Sequence, residues 1–235
     1  MTLITASTRV VALLGHPVAH SLSPQMQNAA FAEAGLDWAY VAFDVPPEGL
    51  DVAVRGLASA GLAGANVTIP HKRAAALLCD EADGDSVNTL VFADGRIAGF
   101  NTDKEIVAGI DSNRVCLIGA GGAAAALLPG LRGEVWQFSR RGAWPPDATG
   151  CDLIVNATPV RDELLVQPHE GQTVVELAYA AGAGDTALVA AARAAGCEVV
   201  DGREALVRQG AASFERWTGT AAPVAAMRAA LGLSS

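Results

Sequence analysis

The sequence predicts an α/β fold in two domains, and three observations carry that prediction. Short apolar runs alternate with helix-like stretches along most of the chain, the pattern of strands backed by helices. A glycine-rich stretch, Gly119-Ala120-Gly121-Gly122-Ala123-Ala124, directly follows one such run and opens an alanine-rich helix. Hydrophobic residues make up 51% and charged residues 17%, a packed globular composition, and aromatics at 5% with 25 glycines favour close helix–sheet contact over stacked sheets. At 235 residues the chain can bury one large core or two small ones.

Residues 9–14 (RVVALL) form an apolar run ended by Gly15 and Pro17, a buried strand. Ser23-Pro24 then opens a helix, with the serine as N-cap and proline at the first helical position, and Gly35 stops it. Residues 38–43 read as a strand, 47–60 as a helix closed by Gly61, 65–69 as a third strand and 73–79 as a short helix. Runs at 87–92 and 96–100 flank Ala93-Asp94-Gly95, a hairpin signal. After Thr102-Asp103 the chain gives a strand at 115–118, the glycine turn with its helix, and strands at 134–138, 152–156 and 173–177. A helix at 186–195, a strand at 198–200 and helical residues 204–231, broken near Gly219 and Pro223, complete it. Such alternation predicts parallel sheets. The division is an α/β domain over 1–103, a doubly wound dinucleotide-binding domain of Rossmann type over 104–203, and terminal helices whose docking the sequence leaves open.

The net charge of −9, with no Lys/Arg run longer than a pair, argues against a nucleic-acid partner, which needs a basic face. It leaves room for a small anionic ligand, since one local cation and a few backbone N–H groups suffice for a carboxylate or a phosphate. No uncharged run approaches membrane-spanning length and no signal segment is evident, so the expectation is a cytoplasmic protein with no membrane partner, a monomer or homodimer acting on a small molecule. Cys79, Cys116, Cys151 and Cys197 are scattered without metal spacing and read as reduced thiols. His16 and His20 lie in a proline-containing turn with no carboxylate or cysteine beside them in sequence, and no metal is expected.

The glycine stretch fits G-x-G-x-x-A between a strand and a helix. Gly119, Ala120, Gly121, Gly122 and Ala123 would bring backbone close to a pyrophosphate, and the helix start would offer it unpaired N–H groups. A purely structural turn is the competing reading. The end of the next strand selects the nucleotide: an NAD site carries an acid there for the ribose hydroxyls, whereas this chain reads Gln137-Phe138-Ser139-Arg140-Arg141. A guanidinium pairs with a 2′-phosphate, so NADP is favoured over NAD, unless the arginines belong to a solvated loop.

The first domain places small polar groups at strand ends: Ser21 and Ser23 before a helix, Asn66 and Thr68 on the third strand, Lys72 just beyond it, then Asn88, Thr89 and Asn101-Thr102-Asp103. Such groups pack poorly but suit a polyhydroxylated ligand at a sheet rim. A lysine with an aspartate is also a proton-transfer pair, the carboxylate orienting the ammonium. His71 reads as a surface residue at a helix entry, Phe214 and Trp217 as core, and Glu33, Asp37 and the acids at 80–85 as a solvated face.

Seven stretches resemble the shikimate dehydrogenases: GHPVAHSLSP (15–24), GANVTIPHK (64–72), SVNTL (86–90), GFNTD (99–103), LIGAGGA (117–123), LIVNATP (153–159) and LVRQGAASFERWTG (206–219). They occur in the family's order and span nearly the whole chain, and NVTIPHK is the most specific. The resemblance implies reversible, NADP-dependent reduction of 3-dehydroshikimate to shikimate, on the chorismate route to aromatic amino acids. It implies Lys72 and Asp103 as the catalytic pair and Ser21 and Ser23 as holders of the substrate carboxylate. Asn66, Thr68, Asn88, Tyr179 and Gln209 would surround the ring hydroxyls, and the cofactor would meet the glycine turn, Ser139, Arg140, Arg141 and Thr158. The C-terminal helices would return to the first domain, adding 204–235 to it.

Departures gather on the cofactor side. Lys104 stands where the family has the glycine of NTDG, and the chain from Asp103 to Gly119 is short. GAWPPDATG, with Pro145-Pro146, replaces a helix beside the adenosine. Tyr179-Ala180-Ala181 replaces Tyr-Asn-Pro, and Arg203-Glu204-Ala205 replaces a Gly- and Met-containing stretch. Two alternatives follow: a related dehydrogenase for quinate, an aminated shikimate or another cyclic polyol acid, or a shikimate-binding sensor that has lost hydride transfer.

Overall fold

A computed structural model describes residues 4–179 and 184–234, so Ala180 and Ala181 lie outside the described residues. In the chain up to Thr102 the elements are β1 (Arg9–Gly15), α1 (Ser23–Glu33), β2 (Trp38–Asp44), α2 (Leu50–Ser59), β3 (Gly64–Val67), α3 (Lys72–Ala76), β4 (Glu81–Ala82), β5 (Thr89–Ala93) and β6 (Arg96–Phe100). Then follow β7 (Arg114–Ile118), α4 (Gly122–Leu127), β8 (Glu134–Phe138), β9 (Leu153–Asn156), β10 (Thr173–Glu176), α5 (Ala187–Ala194) and β11 (Glu198–Val200). The helices α6 (Gly202–Thr218) and α7 (Val224–Ala230) end the chain. The residues form two compact units, one up to Thr102 together with those from Gln209 onward, the other Asp103–Arg208.

The first unit holds a six-stranded sheet ordered β2-β1-β3-β5-β6-β4. β1 runs parallel to β2 and β3, but β5 is antiparallel to β3 and β6 to β5. The sheet is therefore mixed where the alternation predicted parallel strands. Between β3 and its neighbour β5 lie residues 68–88, whose one helix is the five-residue α3, and the chain turns back along β3 instead of crossing a face of the sheet on a long helix. Asp94 and Gly95 both have positive φ, 51° and 71°, the backbone that a two-residue hairpin turn requires.

Alternating side chains supply two faces. Ala12, Leu14, Ala65 and Val67 pack with Leu50 and Val54 of α2, Val87, Leu90 and Ile97. An aromatic cluster links α1, β2 and α6: Phe31 lies 5.3 Å from Trp38 and 5.4 Å from Phe214, centroid to centroid, and Tyr40 lies 6.1 Å from Trp217. Phe214 and Trp217 are core, as their spacing predicted, and each full burial of such a side chain is worth about 1.5–3 kcal/mol. Trp217 donates its indole N–H to Leu90 O at 2.9 Å. α1 starts differently from the prediction: Ser23 is already helical, Leu22 is the N-cap, and no side chain caps the helix.

The second unit holds five parallel strands in the order β11-β10-β9-β7-β8. One face packs Val115, Leu117, Leu153, Val155 and Val175 against Ala124 and Leu127 of α4 and Ala205 of α6. The other packs Cys116, Ile118, Ile154 and Val174 against Leu188 and Ala192 of α5. Among the described residues the β8–β9 and β9–β10 connections contain no helix, and Pro145-Pro146 lies in the first of these. The chain leaves β7 in one direction to reach β8 and returns past it to β9. The crevice between the C-terminal ends of β7 and β9 is thus the topological switch point, where ligands bind in open α/β sheets.

Candidate active site

In the first unit one rim of the sheet gathers the ends of β1 and β3, the start of β5 and the end of β6. Gly15 shapes this rim, because a Cβ there would lie 2.4 Å from Thr68 Cγ2. The lack of a side chain lets the first and third strands close on each other just where Thr68 emerges, and Thr68 N donates to Leu14 O at 2.9 Å. Lys72 is the first residue of α3 and is half-buried; Val87 N donates to its carbonyl at 3.1 Å, which fixes the backbone. Ser23 is buried at the start of α1, and its N–H donates to Ser21 Oγ at 3.2 Å.

His71 overturns its reading as a surface residue. It is 2% exposed and its Nε2 lies 2.7 Å from Val45 O, a carbonyl just past β2. His16 Nδ1 lies 2.5 Å from Asp44 Oδ1, and both side chains are about half exposed. Among the described residues no three His, Cys, Asp or Glu side chains form a metal-holding group.

Beneath the rim lies a buried polar network. Asn66 Nδ2 donates to Asn88 O at 2.9 Å and reaches Thr89 Oγ1 and Ser213 Oγ at 3.1 Å each, while its Oδ1 accepts from Tyr40 OH at 2.7 Å. Both ends of the Asn66 amide are thus held inside the protein, which fixes its orientation beneath the rim, and the Tyr40 bond to its Oδ1 is one of the two an amide oxygen can take. Asn88 Oδ1 accepts from Thr102 N at 2.8 Å, Thr102 Oγ1 at 3.0 Å and Thr89 Oγ1 at 3.1 Å, and its Nδ2 donates to Gln209 Oε1 at 3.3 Å. Gln209 on α6 therefore reaches Asn88 across 121 residues of chain. Asp103 follows the anchored Thr102 directly in sequence and is buried.

In the second unit Gly119 has φ of +121°, and a Cβ there would lie 3.0 Å from Ala157 O and 3.3 Å from Thr158 Cγ2. Its N–H donates to Phe138 O at 2.8 Å and its carbonyl accepts from Gln137 Nε2 at 2.9 Å, so β8 and β9 hold the turn from two sides. A Cβ on Gly121 or Gly122 would meet nothing within 4 Å, which leaves the start of α4 open beside Ala120 and Ala123. Beyond β8, Gly142 N donates to Ser139 O at 2.9 Å and closes a tight loop carrying Arg140 and Arg141, both exposed. Arg140 faces Glu163 at 3.4 Å and Trp144 at 5.6 Å from the ring centre. An open glycine turn at a switch point with two guanidiniums at the next strand end fits a phosphorylated dinucleotide. Tyr179 packs against the start of α6, where a Cβ on Gly202 would lie 2.8 Å from Tyr179 Cβ. Arg203 pairs with Asp201 at 3.5 Å.

A family model described as the shikimate dehydrogenase substrate binding domain matches residues 13–90, and one described as the shikimate 5'-dehydrogenase C-terminal domain matches 202–231. The shikimate dehydrogenase (NADP+) of Methanopyrus kandleri is 41% identical over 281 aligned positions that cover 97% of this chain and 96% of that protein. The chain belongs to the shikimate dehydrogenase family. A shikimate dehydrogenase solved in complex with NADP+ matches with a TM-score of 0.87 at 31% identity, over 100% of this chain and 99% of that one. The Thermus thermophilus enzyme, solved with NADP(H) and shikimate, matches with a TM-score of 0.82 at 31% identity, over 96% and 99%.

As a shikimate dehydrogenase-family chain this one is short. The M. kandleri alignment runs over 281 positions where this chain has 235 residues, so the relative carries segments absent here. Residues 91–201, between the two family-model matches, contain the helix-free connections on either side of β9. Sequence reading passed over Tyr40, Ser213 and Glu176. Ser213 lies four residues after Gln209 and so on the same helix face, a signal that was available. For Tyr40 and Glu176 the sequence carries no such sign.

Proposed function

We propose that the chain catalyses the NADP-dependent, reversible reduction of 3-dehydroshikimate to shikimate. The observation that carries this reading is the Asn88–Gln209 pair at the rim where Thr68 follows β3 and Lys72 opens α3, in a chain 41% identical to a named shikimate dehydrogenase (NADP+). Hydroxyl, carboxamide and ammonium groups there match a ring bearing hydroxyls and one carbonyl. Asn66, Thr68, Asn88 and Gln209 would hold the ring hydroxyls, and Ser21 and Ser23 the carboxylate at the uncapped start of α1.

The glycine turn, Thr158 and the Ser139–Arg141 loop would hold the dinucleotide, with Arg140 and Arg141 toward a 2′-phosphate. Bound there, the nicotinamide supplies the hydride. Proton transfer falls to Lys72, which gives a proton to the carbonyl oxygen in reduction and takes it from the hydroxyl in oxidation, and Asp103 is the carboxylate of that pair. Tyr179 is assigned to the substrate by the same reading. The test is absorbance at 340 nm with shikimate and NADP+, repeated with NAD+, with quinate and with Lys72→Ala. Turnover with shikimate and NADP+ that falls about 10²–10⁴-fold in the variant is expected, the usual worth of a positioned acid–base group. Preference for quinate, or shikimate binding without turnover under any pair, would overturn the assignment.

A further inference from the structure

Glu176, at the end of β10, is 0% exposed, and every group around its carboxylate is a donor. Asn156 Nδ2 lies 3.0 Å from each oxygen, Ala178 N donates at 2.9 Å and Thr186 Oγ1 at 3.0 Å. An ionised carboxylate only accepts, so it dictates which end of the Asn156 amide faces it. With Nδ2 turned to Glu176, Asn156 Oδ1 must point the other way, and there it accepts from Thr158 N at 3.1 Å and Thr158 Oγ1 at 2.7 Å. Thr158 in turn borders Gly119, its Cγ2 3.3 Å from where a Cβ on that glycine would stand. Thr186, the N-cap of α5, brings a third segment into the same cluster.

Resting on the dinucleotide reading above, we propose that Glu176 is a positioning residue for the cofactor: through Asn156 it sets the Thr158 turn that forms one wall of the crevice at the end of β7. The need for it lies in the fold. Residues 157–172 connect β9 to β10 without a helix among the described residues, so no packed helix holds the turn after β9, and a buried polar clip takes that place. Burial raises the Glu176 pKa, with the donors from Ala178, Asn156 and Thr186 and the nearby Arg161 charge opposing that rise. A buried carboxylate carries such a penalty, and a leucine or valine on the same strand would pack without one.

The polarity of the clip supplies the test. Glu176→Gln sets an amide N–H against Asn156 Nδ2; if Asn156 flips to relieve this, its Nδ2 faces the Thr158 N–H. Asn156→Asp sets two carboxylates against each other. The pair exchanged, Glu176→Gln with Asn156→Asp, restores the donor–acceptor match between the two side chains and keeps acceptors for Ala178 N and Thr158, while the Thr186 hydroxyl can turn to accept and Val160 O loses a long 3.3 Å donor. The amide introduced on β10 then donates to the carboxylate introduced on β9, whose outer oxygen receives Thr158. NADP+ and shikimate binding are measured separately by calorimetry on the full chain, with thermal melting of each variant. Each single variant is expected to weaken NADP+ binding at least tenfold and leave shikimate binding within twofold, and the double variant to return NADP+ binding to within about threefold of wild type. Unchanged NADP+ binding by folded Glu176→Gln, or a folded double variant no better than the singles, overturns the proposal. If both singles fail to fold, the double variant decides alone by the same NADP+ threshold, and its own failure to fold counts against the proposal. Wild type that binds shikimate but no NADP+ overturns the dinucleotide reading itself, and this proposal with it.

Discussion

Truncating Asn88 to alanine tests the polar network under the rim. Asn88 is 3% exposed and its Oδ1 receives three donors. Two of them can re-pair: Thr89 Oγ1 and Thr102 Oγ1 already lie 2.8 Å and 3.1 Å from Ser213 Oγ and 3.2 Å from each other. Gln209 is half-buried and can turn to water. The Thr102 backbone N–H, buried beside a residue 2% exposed, loses its acceptor outright. An orphaned buried donor costs about 1–3 kcal/mol, and the weakened hydroxyl pairing adds up to about 1 kcal/mol, so the loss is about 1–4 kcal/mol. For a chain of this size that corresponds to a melting shift of about 2–16 °C. Urea unfolding followed by tryptophan fluorescence, which reads Trp38 and Trp217 in this unit, measures it. Asn88→Asp keeps the accepting oxygen and should lose less. Should Asn88→Ala melt within about 1 °C of wild type, or Asn88→Asp prove as damaging as alanine, the carbonyl oxygen is not the anchor of the 102–103 segment.

Four further outcomes are expected. In Gly64→Ala the new Cβ would stand 2.2 Å from Leu90 O and 2.5 Å from Trp217 Nε1, neither able to swing aside, so a loss of about 3 kcal/mol or more is expected; a melt equal to wild type would refute the close packing. Burial pushes the Cys116 thiol up to about 12 and the Cys79 thiol up to about 11 from 9.0, so native protein at pH 8 should react slowly with a thiol reagent and fast once unfolded. Because both folded values are raised, the associated stability is full below pH 9 and lost as pH rises through about 11 and about 12; a urea midpoint that does not fall as pH rises from 9 to 11 would contradict this. Replacing Arg140 and Arg141 together with alanine should weaken NADP+ binding about tenfold, the low end for exposed charge-assisted contacts, and leave NAD+ binding unchanged. Equal losses for both nucleotides would show that the arginines do not read the 2′-phosphate.

Much of the fold was legible because it is written in local terms. Apolar runs at 9–14, 115–118 and 134–138 became β1, β7 and β8, and the glycines at 119, 121 and 122 sit in a strand–turn–helix. Asp94-Gly95 made the hairpin, since positive φ at two successive positions is a demand that few residue pairs meet. Lys72, Thr68, Asn88 and Gln209 were likewise legible as polar groups at strand ends or in specific motifs.

The sequence could not say which way a polar side chain turns. His71 reads the same as a surface or a buried residue until Val45, 26 positions earlier, presents a carbonyl to it. Nothing near Asn66 in the sequence announces that Tyr40, Thr89 and Ser213 converge on both ends of its amide and fix how it is turned. The antiparallel direction of β5 and the acceptor role of Glu176 depend in the same way on which distant segments meet. Backbone propensity and apolar period act over a few residues and are therefore carried by the sequence itself. The partner of a buried donor or acceptor is supplied by another part of the chain, and only folding brings the two within about 3 Å.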